Sequence, residues 1–96
     1  MAIVVVTPGA VADLDRLIRT HSLPSNTRAR VASSLRPLVR FPLLGPPLAG
    51  RWAQFRFVLG PWRWMLIVYV YDDRADRVAV VTIQDARSAQ AAASAE

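Results

Sequence analysis

The chain of 96 residues contains no cysteine. It can therefore form neither a disulfide nor a thiolate metal site, on which small secreted domains usually depend. We expect no metal site and no cofactor.

Long apolar runs are also missing, because the longest, residues 64–71, has eight residues and is too short to cross a bilayer. No basic segment precedes the short apolar stretch at the start, as a signal peptide would require. We expect a cytoplasmic protein without membrane contact.

Lysine is absent as well. All twelve basic residues are arginines, and with seven acidic residues they give a formal charge of +5. Such a charge favours a polyanionic partner, although an ordinary arginine-rich solvated surface would give the same count.

A hydrophobic content of 53% indicates a folded globule rather than a disordered chain. We expect one domain over residues 1–96, with a frayed alanine-rich tail at residues 88–96.

The first half of the chain predicts a strand followed by a helical hairpin. Apolar residues 2–6 form the strand. Thr7 then caps a helix whose first position is Pro8 and which ends near Thr20. A second helix begins near Pro24 and is kinked or ended by Pro37. The lone His21 falls between the helices, where we expect a solvated loop residue.

The second half has the two-residue period of β-strands. After an ordered proline- and glycine-rich loop at residues 41–50, we expect strands at residues 52–59, 62–71 and 77–84. Gly60-Pro61 fits a two-residue hairpin turn. The sequence thus predicts an α+β fold: a strand, a helical hairpin, and a three-stranded antiparallel meander with the helices packed on one sheet face.

That turn also predicts which residues share a face, because it pairs Phe57 with Trp64 and Arg56 with Met65. The helices would then cover one set of side chains: Phe55, Phe57, Leu59, Trp62, Trp64, Leu66, Val68 and Val70. Arg56 and Arg63 would be diagonal neighbours on the open face, about 7–8 Å apart. The open face would also carry Trp52, Gln54, Tyr69 and Tyr71.

The types and order of several residues along the chain resemble the sequence pattern of the RelE/ParE superfamily, the toxins of bacterial type II toxin–antitoxin systems. They are Pro42, Gly45 and Leu48 in the loop, Arg56 on the next strand, Gly60 at the turn, Arg63 after an aromatic residue, and Arg87 at the end of the last strand. The resemblance spans residues 4–87. It implies a growth-inhibiting toxin with a role in plasmid stabilization, held inactive by a cognate antitoxin from a neighbouring gene.

The resemblance also implies a possible enzyme, an endoribonuclease that cleaves mRNA on the ribosome. Arg56, Arg63 and Arg87 would bind phosphate oxygens and stabilise developing charge. Arg51, Trp52 and Gln54 would extend the RNA-binding surface. Arginine cannot transfer protons readily, and this chain lacks the C-terminal tyrosine or histidine of active members. Tyr69 and Asp85 are the candidate replacements, with packing and local capping as their alternative roles.

Two further functions fit the same residues. The ParE branch inhibits DNA gyrase by binding and needs no acid–base pair. A nontoxic module could also bind nucleic acid through the same arginines. The partners we expect are accordingly the antitoxin, together with either the ribosome and mRNA or DNA gyrase.

Overall fold

The structure is a computed structural model that describes residues 1–87, so the tail that we expect to be frayed lies outside the described residues. The elements, in chain order, are β1 (Ile3–Val6), α1 (Pro8–Thr20), α2 (Thr27–Leu35), α3 (Pro37–Arg40), a 3₁₀ turn (Gly50–Trp52), β2 (Arg56–Leu59), β3 (Met65–Asp72) and β4 (Arg77–Asp85). Within residues 1–87, no helix is both long and apolar enough to traverse a membrane.

The helical hairpin begins and ends where the sequence predicts. The Thr7 hydroxyl accepts a hydrogen bond from the Ala10 amide at 3.3 Å, and Pro8 occupies the first helical turn. The second helix starts three residues after Pro24, whose carbonyl accepts hydrogen bonds from the amide and hydroxyl of Thr27. Pro37 separates α2 from the short α3, because it has no amide hydrogen to continue the helix.

The four strands form one mixed sheet in the order β1-β4-β3-β2. Strand β1 runs parallel to β4, whereas β4, β3 and β2 form an antiparallel meander. The helices pack on one face and enclose the core, whose largest fully buried side chains are Tyr69, Leu38, Met65, Ile67, Ile83, Val78 and Val80. The predicted α+β arrangement is confirmed.

The predicted hairpin register is wrong. Leu59 pairs with Leu66 and Arg56 with Tyr69, so the pairing is shifted by four positions along β3. A longer loop at residues 60–64 replaces the two-residue turn, and it is closed by a hydrogen bond from the Gly60 amide to the Met65 carbonyl at 2.9 Å. Trp62 and Trp64 lie in this loop and not in the strand, and their rings pack against the core. Strand β2 is also shorter than expected, because residues 50–52 form the 3₁₀ turn.

The prediction of the buried face is wrong as well. The helices cover Met65, Ile67 and Tyr69, all with no exposed surface, whereas Phe57 and Leu66 on the opposite face are only half-buried. Both faces of β3 are apolar, so alternation did not distinguish the side that the helices cover. Arg56 and Tyr69 therefore share the helix-covered side of the sheet, and Arg56 and Arg63 are not diagonal neighbours.

The uncovered side of the sheet, which we call the open face, is mainly apolar and carries neither Arg56 nor Arg63. The strand pairing places on it the apolar residues Ile3, Val5, Phe57, Leu59, Leu66, Val68, Val70 and Ala79, together with Asp72, Arg77 and Gln84 at the strand ends. Ile3 is 60% exposed and Leu59 47% exposed. These two side chains lie on the two edge strands, β1 and β2, so the open face has an exposed apolar residue at each edge.

Candidate functional site

The three arginines expected to form a phosphate clamp occupy two separate places. Arg63 is exposed in the loop before β3, and Arg87 follows β4 beside that loop, because the Ala86 amide donates to the Trp64 carbonyl at 2.7 Å. Arg56 pairs with Tyr69, four residues along β3 from Met65 and therefore about 13 Å from that end of the sheet. The fold brings Arg63 and Arg87 to one end of the sheet and leaves Arg56 away from them.

The Arg56 guanidinium holds the loop that precedes β2. Its Nη1 donates to the carbonyl oxygens of Gly45 at 2.8 Å and Leu43 at 3.3 Å. Backbone bonds fix the same loop against β2, since the Phe57 amide donates to the Pro46 carbonyl at 3.2 Å. Gly45 is required here because a Cβ would lie 2.0 Å from the Phe57 carbonyl oxygen. These contacts give Arg56 a structural task.

Tyr69 belongs to the same structural unit. Its side chain is fully buried, and its hydroxyl accepts a hydrogen bond from the Gly45 amide at 3.0 Å. A buried amide needs such an acceptor, so the tyrosine satisfies the loop backbone. In this position the hydroxyl has no contact with solvent through which a substrate could approach.

Asp85 lies at the end of β4 and binds two cationic or polar partners. Arg87 donates to it twice, from Nε to Oδ1 at 3.0 Å and from Nη2 to Oδ2 at 2.9 Å. The ring of His21 lies 3.0 Å from Oδ2 through its Nε2 atom. Hydrogen bonds from Arg87, together with the one from His21, hold the pKa of Asp85 far below its usual range. The carboxylate also raises the pKa of Arg87.

His21 is not the solvated loop residue that the sequence predicts. It caps the C-terminus of α1, its side chain is 27% exposed, and its ring stacks on Trp64 with 4.7 Å between centroids. Its Nδ1 lies 2.9 Å from the Thr20 hydroxyl. No sequence signal linked His21 to Asp85, because the pair is separated by 64 positions and forms only when α1 packs beside the end of β4.

Aromatic rings and arginines continue the cluster across the surface. Trp64 stacks on Trp62 with 6.0 Å between centroids. Arg87 lies over the Trp64 ring at 5.1 Å, and Arg30 of α2 lies over the Trp62 ring at 4.6 Å. Both tryptophans are partly buried, so they join the core to this surface instead of lying wholly within it. Cations over these rings gain a cation–π attraction and are held in place.

A cleft of about 310 Å³ opens beside the histidine. It is lined by Arg16, Leu17, Thr20, His21, Ile83, Gln84 and Asp85. The cleft thus combines a cation, a carboxylate, an imidazole and a hydroxyl at the junction of α1 and β4. Within residues 1–87, no group of three histidine or acidic side chains is arranged to hold a metal ion.

The remaining predicted contact residues lie before β2. Arg51, Trp52 and Gln54 are exposed, and the Arg51 guanidinium lies over the Trp52 ring at 5.1 Å. Residues 50–52 form a 3₁₀ turn and residues 53–54 a further turn, so these side chains do not lie on a sheet face as expected.

No protein-family model and no curated protein sequence matches the chain. Solved structures do resemble it. The RelBE2 toxin–antitoxin complex from Mycobacterium tuberculosis aligns with a TM-score of 0.67 and 26% identity, covering 88% of this chain and 96% of that chain. A mutant of the Escherichia coli toxin RelE in the free state has a TM-score of 0.66 and 16% identity, over 99% of this chain and 95% of that one.

A third similar structure has no function in its name. The conserved hypothetical protein HP0892 from Helicobacter pylori aligns with a TM-score of 0.59 and 16% identity, over 88% of this chain and 94% of its own length. In each case nearly the whole neighbour is covered, so the likeness extends to the complete domain.

Proposed function

Since the chain has the RelE/ParE-like fold, we propose that it is the toxin of a type II toxin–antitoxin system and inhibits growth by ribosome-dependent cleavage of mRNA. One observation carries the nuclease proposal: Arg63 and Arg87 reach the same end of the sheet as the His21–Asp85 pair. Cations there would bind the scissile phosphate, and ionisable side chains able to transfer protons lie beside them.

The distribution of charge supports an RNA substrate. Residues 8–40, which contain the three helices, include six of the twelve arginines and only two of the seven acids. In this helical layer, Arg16 lines the cleft and Arg30 lies over the Trp62 ring. A phosphate backbone passing this end of the sheet would meet cations from both the helices and the strands.

Inhibition of DNA gyrase by binding is the second candidate function. It is favoured by the engagement of groups that a nuclease would use, because Tyr69 is buried and Arg56 donates to loop carbonyls. Asp85 also occupies two donor groups of Arg87. A binding inhibitor needs none of these groups to be free.

Brief expression of the toxin, followed by mapping of mRNA ends and a plasmid supercoiling assay on the same culture, separates the two functions. We expect new cuts inside translated codons within minutes of induction. DNA breaks without new mRNA ends would contradict the nuclease proposal and support gyrase inhibition.

Arg63→Ala tests the arginine end of the sheet directly. Arg63 is exposed, so its loss should leave the fold intact, remove a phosphate contact and relieve growth inhibition. Arg74→Ala is the matched control, because Arg74 is an exposed arginine in the turn between β3 and β4. Equal toxicity of both variants at equal protein level would remove Arg63 from the mechanism.

The same proposal includes an antitoxin partner. The open face supplies exposed apolar side chains such as Ile3 and Leu59, and the chain as a whole is basic. An acidic segment with an amphipathic face would bury the apolar surface and be attracted by the positive charge. The neighbouring gene's product should therefore copurify on co-expression and restore growth, and its association should slow as salt increases. Absence of both copurification and rescue would contradict a toxin–antitoxin pair.

A further inference from the structure

The cluster of His21, Thr20 and Asp85 beside the cleft suggests a proton-transfer group that the sequence did not reveal. Asp85 is held ionised by Arg87, and a carboxylate can only accept hydrogen bonds. The His21 Nε2 atom, 3.0 Å away, must therefore carry a proton and donate it. In the neutral ring, the lone pair then resides on Nδ1.

The Nδ1 lone pair faces the Thr20 hydroxyl, which a substrate hydroxyl can replace. Thr20 is exposed, and its Oγ1 lies 2.9 Å from Nδ1. Because Nδ1 is the acceptor, the Thr20 hydroxyl is the donor. The same hydroxyl has a second acceptor, the Leu17 carbonyl at 3.5 Å. A substrate hydroxyl entering the cleft can thus replace Thr20 as the donor to Nδ1, while Thr20 turns to the carbonyl.

The surroundings hold the ring still and supply charge for a phosphate. One face of the imidazole stacks on Trp64, with an interplanar angle of 14°. Arg87 binds Asp85 through Nε and Nη2, which leaves its Nη1 for a phosphate oxygen. Arg16 also lines the cleft. The charged groups around His21 are therefore Asp85, Arg87 and Arg16, which come from β4, the segment after it, and α1.

The geometry points to His21 as the general base of the proposed RNA cleavage, with Asp85 as its positioning residue; this inference rests on the proposed function. Nδ1 takes the proton of the ribose 2′-hydroxyl as that oxygen forms a bond to phosphorus. The bond from phosphorus to the 5′-oxygen breaks, and the leaving oxygen takes a proton from water. The products are a 2′,3′-cyclic phosphate and a 5′-hydroxyl end, and the imidazolium returns its proton to solvent. A positioned base of this kind contributes about 10²–10⁴-fold to the rate.

Single-turnover cleavage of mRNA on programmed ribosomes tests the assignment, with His21→Gln and His21→Phe as variants. Phenylalanine keeps an aromatic ring against Trp64 but cannot transfer a proton, so it separates stacking from chemistry. We expect both variants to lose about 10²–10⁴-fold in rate. Arg74→Gln, in the exposed turn between β3 and β4, is the control and should keep the wild-type rate.

A pH profile supplies the second readout. His21 is the only histidine in the chain, so NMR of its imidazole reports its ionisation without ambiguity. The wild-type rate should rise in proportion to the neutral fraction of the ring, and this dependence should vanish in the variants. Melting curves establish that each variant is folded.

Each result decides a separate question. A folded wild-type toxin that cuts no mRNA overturns the proposed nuclease and this inference with it. Cleavage by the wild type that persists within about threefold in His21→Gln, or recovers fully in His21→Phe, overturns the role of His21 alone.

Discussion

Tyr69 and Asp85, the two side chains that the sequence marks as candidates for proton transfer, have different surroundings in the folded chain. Tyr69 is fully buried and binds the Gly45 amide, whereas Asp85 lies beside the cleft and binds Arg87 and His21. At the scale of single residues, tyrosine acts here as an acceptor for loop backbone. Asp85 is an ionised anchor that orients its neighbours.

Tyr69→Phe should reduce the free energy of unfolding by about 1–3 kcal/mol, because the buried Gly45 amide loses its acceptor. Toxicity at permissive temperature should be retained, since no proton passes through this hydroxyl. Urea unfolding measures the first effect and a growth assay the second. Loss of toxicity in a variant of unchanged stability would instead assign Tyr69 to the chemistry.

The depressed pKa of Asp85 predicts a pH dependence of stability. A carboxylate whose pKa is lower in the folded state stabilises the protein above its unfolded pKa of about 3.9 and loses that contribution as pH falls further. Wild type should therefore be more stable than Asp85→Asn near neutral pH, and the difference should shrink below about pH 4. Thermal melts of both proteins from neutral to acidic pH test this. A difference that stays constant at every pH would contradict the assigned ion pair.

At the scale of elements, β3 shows that side chains on the two faces of the sheet are buried to different extents. Ile67 is fully buried under the helices, whereas Phe57 on the opposite face is half-buried. The helical hairpin covers one face only, so side chains of similar apolar character differ in how many neighbours surround them. Their energetic contributions should differ accordingly.

Ile67→Ala should cost about 2–5 kcal/mol, because it leaves a cavity in the core. Phe57→Ala should cost less despite removing more atoms, because its ring already contacts solvent. Chemical denaturation of the two variants gives the comparison. A larger loss in Phe57→Ala would mean that the open face is covered by other parts of the protein.

For the whole molecule, the separation of an apolar open face from a polar cleft predicts separable surfaces for antitoxin and RNA. Charge and the His21–Asp85 pair concentrate where α1 meets the end of β4, while exposed Ile3 and Leu59 lie on the other side of the sheet. An antitoxin that binds the open face would leave the cleft residues available for mutation without loss of binding.

Leu59→Asp places a charge on the open face and should weaken antitoxin binding by at least tenfold, because burial of an unpaired carboxylate is costly. The His21→Gln variant should bind the antitoxin as the wild type does. Titration of both variants with the purified antitoxin measures this. Unchanged affinity for Leu59→Asp would move the binding site away from this face.

Local rules were sufficient for much of the fold. The cap at Thr7, the end of α2 before Pro37 and the antiparallel meander all follow from short-range chemistry, and each is present. The α+β class could be predicted because helix and strand periods differ and occupy separate halves of the chain.

Only the tertiary structure decided which face the helices cover and which residues form the cleft. Alternation marks two sides of β3 but does not rank them when both are apolar. Trp62 and Trp64 lie in the loop before β3, with their rings packed against the core. His21 and Asp85 are far apart in sequence and become a pair only when α1 packs beside β4. The sequence by itself determined the elements and the excess of arginine, because these depend on neighbouring residues and composition. The site depends on contacts between distant segments, and those exist only once the core has formed.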